Sequence, residues 1–182
     1  MHASRMFLIG AAGVALALCG ESAQAAALAA EVQSGWPQST IANAVDVPGI
    51  RAAVALHEGK PEAAIAGLQS AAPYERAYPI PSYVRGLAYL RMKSGTAAAA
   101  EFQKVIDGRV GFIGGPPRNF YGAGRVWAAA FLGLGRAQAI AGNRAEARKA
   151  YEKFLDLWKD ADAGIPLLAE ARKEYAALTR VP

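Results

Sequence analysis

The chain alternates between apolar stretches with a helical period and short breaks made of glycine, proline or polar residues. Between residues 144 and 158, apolar side chains recur three and four positions apart, as on the buried side of an amphipathic helix. The members of this stripe are Ala147, Ala150, Tyr151, Phe154 and Trp158. Together the periods and breaks predict nine helices, near residues 6–18, 21–34, 46–57, 61–71, 79–92, 95–107, 125–141, 144–158 and 165–179.

The amino-acid composition supports an all-α fold and narrows the chemistry. The chain has 43 Ala against 19 Val plus Ile, and alanine favours helices whereas the β-branched residues favour strands. A content of 53% hydrophobic and 19% charged residues excludes a disordered polymer. With one Cys and two His, the chain cannot form an internal disulfide or a tetrahedral Cys/His zinc site. We therefore expect no metal and no cofactor.

A spacing pattern recurs around four of the predicted turns. Gly20, Gly59 and Gly142 are each followed five residues later by an alanine, and Lys93 takes the matching place in the third copy. Small residues at these distances let two helices approach closely, and a large apolar residue fills the groove between them. The predicted packing positions, with the three turn glycines, are Gly13, Gly20, Ala25, Pro37, Gly59, Ala64, Gly86, Tyr89, Ala98, Phe102, Leu134, Gly135, Gly142, Ala147 and Tyr151.

The pattern divides the chain into helical hairpins that cannot bury their apolar faces alone and must lean on one another. A glycine- and proline-rich insert separates the last two hairpins, and a closing helix covers the open end. The predicted units are about 6–37, 45–73, 79–107 and 125–158, with the insert at 108–124 and the capping helix at 165–179. We expect one repeat domain over residues 1–182.

The Leu-Gly, Gly, Ala, large-apolar and Pro spacing resembles the tetratricopeptide repeat. The fit is best in the last unit, which carries Leu134, Gly135, Gly142, Ala147 and Tyr151. The resemblance implies a right-handed superhelical stack of about four hairpins that binds a peptide or helix on its concave face. Residues 42–178 also look similar to the tetratricopeptide region attached to some bacterial serine/threonine protein kinases and related regulators. The chain itself has no kinase motif.

Three interpretations of a protein of this type stay open, and the third depends on the N-terminal sequence described below. The first is a non-enzymatic interaction scaffold, the second is a regulatory or sensor segment split from a bacterial kinase, and the third is a secreted or periplasmic repeat protein. No enzyme is expected, because His57 beside Glu58 lacks the companions of a recognisable nucleophile motif.

The resemblance also implies a set of partner-binding residues on the first helix of each hairpin. Arg91 and Arg136 would clamp a carboxylate or phosphate, or else pair with neighbouring helices or lie in solvent. The partner-binding set is His57, Tyr83, Leu87, Leu90, Arg91, Leu132, Arg136 and Ile140.

The net charge of +5 does not by itself indicate nucleic acid. In the region 144–160, lysine and arginine alternate with acidic residues at helical spacings that allow ion pairs, which is typical of a solvated helix face. Arg109, Arg118 and Arg125 lie in a stretch without acidic residues, so an anion preference would concentrate there. We expect a protein or peptide partner, with acidic residues favoured, and no nucleic acid.

The first 25 residues permit two interpretations. Arg5, the apolar run 6–19 and the small-x-small sequence ending at Ala25 are typical of a secretory signal, which would place the protein in the periplasm or outside the cell. Alternatively, residues 6–18 form the first helix of the first hairpin, which favours a cytoplasmic protein or a fragment of a larger regulator. The run is too short for a membrane span. An end helix would also leave apolar side chains without a neighbour and allow self-association: Phe7, Leu8, Ile9 and Val14.

Overall fold

The computed structural model describes residues 2–108, 123–162 and 164–180. The described residues form helices and turns and contain no strand, which confirms the all-α prediction. The expectations for the insert 108–124, including its arginines at 109 and 118, lie almost entirely outside the described residues.

Nine α-helices follow one another along the described chain. The first begins at His2, earlier than predicted, and the fourth ends at Gly67, earlier than the predicted 71, because the chain continues as a 3-10 segment over Gln69–Tyr74. A π-helical turn that the sequence did not indicate, Ala42–Asp46, leads directly into the third helix. The helices are α1 His2–Leu18, α2 Ser22–Gly35, α3 Val47–His57, α4 Pro61–Gly67, α5 Ile80–Arg91, α6 Gly95–Asp107, α7 Ala123–Ile140, α8 Arg144–Leu157 and α9 Pro166–Arg180.

The helices pack in the order in which they occur. Each helix contacts the next one, from α1 on α2 through to α8 on α9. In addition, α1 contacts α3, α3 contacts α5, and α5 contacts α7, so the odd-numbered helices form a continuous row. α1 is therefore packed against α2 and α3. Signal-peptide cleavage after Ala25 would divide the chain within α2. No helix in the described ranges is long and apolar enough to cross a membrane.

The four aligned turns share one backbone conformation. Gly20, Gly59 and Gly142 have φ of 95°, 77° and 80°, and Lys93 has φ of 56°. In each turn, the following residue donates its backbone N–H to the carbonyl five positions earlier at 2.9 Å, which closes the preceding helix. The repeat therefore demands the left-handed conformation at these four places, and Lys93 adopts it without the freedom of glycine.

Lys93→Gly should stabilise the protein by about 1 kcal/mol, because glycine adopts the left-handed region without the steric cost of a Cβ atom. Gly142→Ala, at the equivalent turn, should destabilise it by about 1 kcal/mol for the same reason. Urea unfolding measures both changes. Gly67→Ala is the control, since a Cβ atom there meets nothing within 4 Å and the backbone φ is not positive. A gain in stability from Gly142→Ala would contradict this account.

The small residues allow close helix contacts. A Cβ atom at Gly13 would lie 2.6 Å from Ile50 Cδ1, and one at Gly86 would lie 2.9 Å from the Phe102 ring. A Cβ atom at Gly135 would lie 2.9 Å from the Tyr151 ring. The alanines predicted to pack beside the turns are fully buried: Ala25, Ala64, Ala98 and Ala147.

Other predicted packing positions have different surroundings. Tyr89 and Leu134 are half-buried against the cluster around Phe102. Pro37 is exposed, and its carbonyl accepts a hydrogen bond from Asn43 Nδ2 at 2.9 Å. Pro37, predicted as a repeat-packing position, therefore lies exposed in the turn that follows α2 instead of in the buried core.

The buried apolar side chains fall into three clusters. The first cluster spans α1 to α5 and includes Ile50 and Leu56. The second, around Phe102, joins α6 to α7, and Leu87 of α5 packs against both of these clusters. The third joins α7, α8 and α9 and includes Phe154 and Leu168. Each cluster therefore holds neighbouring helices together, and α5 and α7 link one cluster to the next.

The outer helix α1 is less apolar on its free side than the sequence suggested. Leu8 is 53% exposed, but Val14 is 6% exposed and Ile9 packs against the first cluster. The expectation that Val14 lacks a neighbour is wrong, because Gly49 of α3 lies against it. The side chain of Phe7 lies outside the described part of the structure.

A buried ionic network, which the sequence did not indicate, lies between the segment after α4 and the hairpin α5–α6. Arg85 donates to Glu75 Oε1, to Glu101 Oε2 at 3.1 Å and to the Leu68 carbonyl at 3.3 Å. Lys104 donates to Glu101 Oε1 at 2.6 Å. The side chains of Arg85 and Glu75 are each 11% exposed, so these charges depend on one another for compensation.

Candidate functional site

The described residues form a groove of about 640 Å³ along the inner ends of the odd-numbered helices. The last turns of α1, α3, α5 and α7 supply most of its wall, and one residue each from α8 and α9 closes one end. The groove is lined by Leu18, Leu56, His57, Tyr83, Leu87, Leu90, Arg91, Arg136, Ala139, Ile140, Tyr151 and Glu174.

Repeat register explains why these side chains converge. Leu18, His57, Arg91 and Ile140 each lie two residues before the left-handed turn residue of their own hairpin. Because the odd-numbered helices pack side by side, equivalent positions come together on one surface. The same register could have identified Leu18, which the sequence analysis missed.

Seven of the eight predicted partner-binding residues line this groove, and Leu132 does not. Leu132 is 2% exposed and belongs to the third cluster, with Phe154 of α8 and Leu168 of α9. Placing it on the groove surface is therefore wrong. It lies one helical turn before Arg136, at a point where α8 and α9 cover α7.

The floor of the groove is apolar. Leucines from three helices lie beside Ile140, whose side chain is 44% exposed. Tyr83 lies edge-on against the Phe102 ring at a centroid distance of 5.8 Å, and burial raises the pKa of its phenol, while the charge of Arg136 opposes that rise. The leucines are Leu18, Leu56, Leu87 and Leu90. An apolar side chain entering the groove would lose water on all these surfaces.

Arg91 supplies an exposed positive charge to the groove wall. Among the described residues, no carboxylate lies within ion-pairing distance of its guanidinium. His57 lies next to it in the repeat register, and its ring rests against the turn at Gly20, where a Cβ atom would be 3.0 Å from His57 Cε1. Arg91 can therefore donate hydrogen bonds to an incoming anion without first breaking an ion pair to a described residue.

Arg136, unlike Arg91, is already paired with carboxylates of the described part of the protein. Its Nε and Nη2 atoms each donate to a different carboxylate oxygen of Glu174 at 2.9 Å, and Nη2 also donates to Glu170 at 3.3 Å. Burial would lower the pKa of Arg136, but the hydrogen bonds and charge of Glu174 more than offset this and raise it. Of the sequence alternatives for Arg136, pairing with a neighbouring helix is the one that the structure shows.

Comparison with family models, with curated proteins and with solved structures gives no match. The groove combines apolar side chains with the exposed guanidinium of Arg91, which suits a peptide segment that carries an apolar side chain and a negatively charged one close together. Within the described residues, no group of three or more His, Cys, Asp or Glu side chains converges to hold a metal ion.

Proposed function

We propose that the protein is a non-enzymatic interaction scaffold of the tetratricopeptide type, which binds a peptide or helix of a partner protein in this groove. The observation that carries the proposal is the convergence of Leu18, His57, Arg91 and Ile140, which occupy one repeat position in four hairpins. A repeat protein that presents the same position from each unit makes an extended binding surface.

The helix packing supports the repeat type. The turns within the four hairpins share the left-handed residue and the same closing hydrogen bond, and the odd-numbered helices contact one another in order. Gly86 and Gly135, seven residues before their turns, face large rings of the following helix. These are the relations that the tetratricopeptide spacing implies.

The chemistry of the groove favours an apolar segment that carries a carboxylate. The leucines and Ile140 bury apolar side chains, and this burial supplies the affinity. Arg91 supplies orientation, because a charge-assisted hydrogen bond to a carboxylate is directional and stronger than one between neutral groups. The ligand is therefore a peptide or helix with leucine-like side chains and at least one acidic residue.

Arg91→Glu should weaken binding of groove ligands by about tenfold or more, because it removes an attractive charge and adds a repulsive one. The ligands would be peptides that the full chain selects from a random dodecapeptide phage library, and isothermal titration would give the affinities. Ile140→Gln, also exposed, should weaken the same peptides by removing apolar surface.

Lys153→Glu is the matched control, since it makes the same charge change on an exposed position of α8 that does not line the groove. Circular dichroism checks that every variant keeps its helix content. Selected peptides that bind Arg91→Glu and Ile140→Gln as tightly as the unaltered protein would refute the proposed groove.

A further inference from the structure

The groove end formed by α7, α8 and α9 contains a second anion-binding arrangement. Arg136 presents two parallel N–H groups to one carboxylate, and the hydroxyl of Tyr151 donates to the same carboxylate at 2.9 Å. This three-donor geometry is typical of a carboxylate-recognition site. The carboxylate that it holds is Glu174, from the last helix of the chain.

Arg136 and Tyr151 bind the carboxylate of Glu174, but the side chain of Glu174 is not buried. Its side chain is 36% exposed and lines the groove, and the side chain of Arg136 is 29% exposed. α9 is anchored separately, because Leu168 and Ala171 are fully buried in the third cluster. The carboxylate can therefore leave Arg136 by side-chain rotation while the helix stays docked.

The two arginines of the groove thus differ in one respect. Arg91 has no carboxylate partner among the described residues, whereas Arg136 pairs with two glutamates of α9, with Glu174 at 2.9 Å and with the more exposed Glu170 at 3.3 Å. A ligand with two acidic groups could reach Arg91 directly but would have to replace Glu174 at Arg136. Such replacement exchanges one carboxylate for another, so the net charge at Arg136 is unchanged.

We infer that Arg136 and Tyr151 form a carboxylate-binding subsite of the groove, and that Glu174 occupies it as an internal competitor of acidic ligands. The inference rests on the proposed function, because it concerns a ligand in the same groove. It makes Glu174 a residue that sets affinity for acidic partners, and not only a contact that docks α9.

The test compares two capped tetrapeptides, acetyl-Leu-Glu-Glu-Leu-amide and its Leu-Gln-Gln-Leu counterpart, on the full chain by isothermal titration. Glu174→Gln removes the competing charge that is bound by both Arg136 and Tyr151 and keeps the size of the side chain. We expect the acidic peptide to bind this variant about five- to tenfold more tightly than it binds the unaltered protein, and the neutral peptide to bind both alike. The gain should vanish in Glu174→Gln/Arg136→Gln.

Glu152→Gln is the matched control for a loosened α9. Glu152 accepts a hydrogen bond from Tyr175 of α9 at 2.7 Å but does not line the groove. The Glu152→Gln substitution should leave the affinity for the acidic peptide unchanged. A second readout is the NMR signal of Arg136 Nε–Hε, which should move on adding the acidic peptide to Glu174→Gln.

An unchanged affinity in Glu174→Gln, or an equal gain in Glu152→Gln, would overturn the inference. A gain that persists without Arg136 would also overturn it. Failure of the proposed function is a separate result: it would be shown by library peptides whose affinity is the same for Arg91→Glu, Ile140→Gln and the unaltered protein. If the library peptides lose affinity in Arg91→Glu but the acidic tetrapeptide binds Glu174→Gln no more tightly, the proposed groove is supported and the subsite at Arg136 is refuted.

Discussion

Replacement of Arg85 by methionine is expected to lower the free energy of unfolding by about 3–5 kcal/mol, because it leaves buried carboxylates without their shared counter-charge. Glu75 and Glu101 both accept hydrogen bonds from Arg85, and their side chains are only 11% and 9% exposed. Lys104 remains nearby but is 51% exposed, so it compensates the two charges incompletely. Burial would lower the pKa of Arg85, and its contacts with Glu75 and Glu101 instead raise it.

Urea unfolding followed by circular dichroism measures this loss. Arg148→Met is the matched control, because Arg148 also donates to a glutamate, Glu152, at 3.0 Å, but both side chains are exposed. An exposed pair contributes about 0–1 kcal/mol, so the control should change stability little. Adding Glu75→Gln and Glu101→Gln to Arg85→Met should recover part of the loss. Equal effects of Arg85→Met and Arg148→Met would show that the network does not depend on burial.

Asp46→Asn is expected to stabilise the protein at pH 8 and to have little effect at pH 4. Burial raises the pKa of Asp46 from 3.8 to about 7. Its Oδ2 atom is buried without a hydrogen-bond partner among the described residues, and its carboxyl group lies against Gly10 of α1, where a Cβ atom would be 2.9 Å away. The ionised form therefore pays a desolvation penalty that the amide of asparagine avoids.

The direction of the pH dependence follows from proton binding. Between about pH 4 and pH 7, unfolded chains have released the Asp46 proton while the folded protein keeps it, so stability falls as the pH rises. The full loss would be about 4 kcal/mol above pH 7. Urea unfolding at pH 4, 6 and 8 should show this loss in the unaltered protein and not in Asp46→Asn. Asp160→Asn, at an exposed carboxylate, is the control. Parallel stability curves for the unaltered protein and Asp46→Asn would contradict the prediction.

Local signals were enough to place the helices. Glycine and proline mark where helices stop or start, and the apolar period shows which faces are buried. The turn alignment went further, since it matched Lys93 to three glycines and the structure gives all four the left-handed conformation. A side-chain cap does not form at the start of α8: Asn143 precedes the helix, but its Nδ2 atom donates to Gln138 Oε1 at 2.8 Å and its side chain makes no capping hydrogen bond.

Polar partners that are distant in the chain could not be predicted. Arg85 and Glu75 lie 10 residues apart and Arg136 and Glu174 lie 38 apart, so neither pair follows from a helical period. Among the apolar groove residues, Leu87, Leu90 and Ile140 were in the set that the resemblance implied, whereas Leu18 and Leu56 were not. The electrostatic state of Arg136 could not be predicted, because it depends on how α9 docks after the fourth hairpin.

The groove draws its walls from all three apolar clusters: Leu56 from the first, Leu90 beside the second, and Tyr151 from the third. Because no single hairpin supplies all of its lining, the width of the groove depends on how the three clusters are positioned relative to one another. A peptide segment bound along the groove would contact all three clusters and would hold them together. Under the proposed function, release of the bound segment and partial unfolding of the chain would be coupled equilibria, and a bound segment would suppress local unfolding of the helix stack.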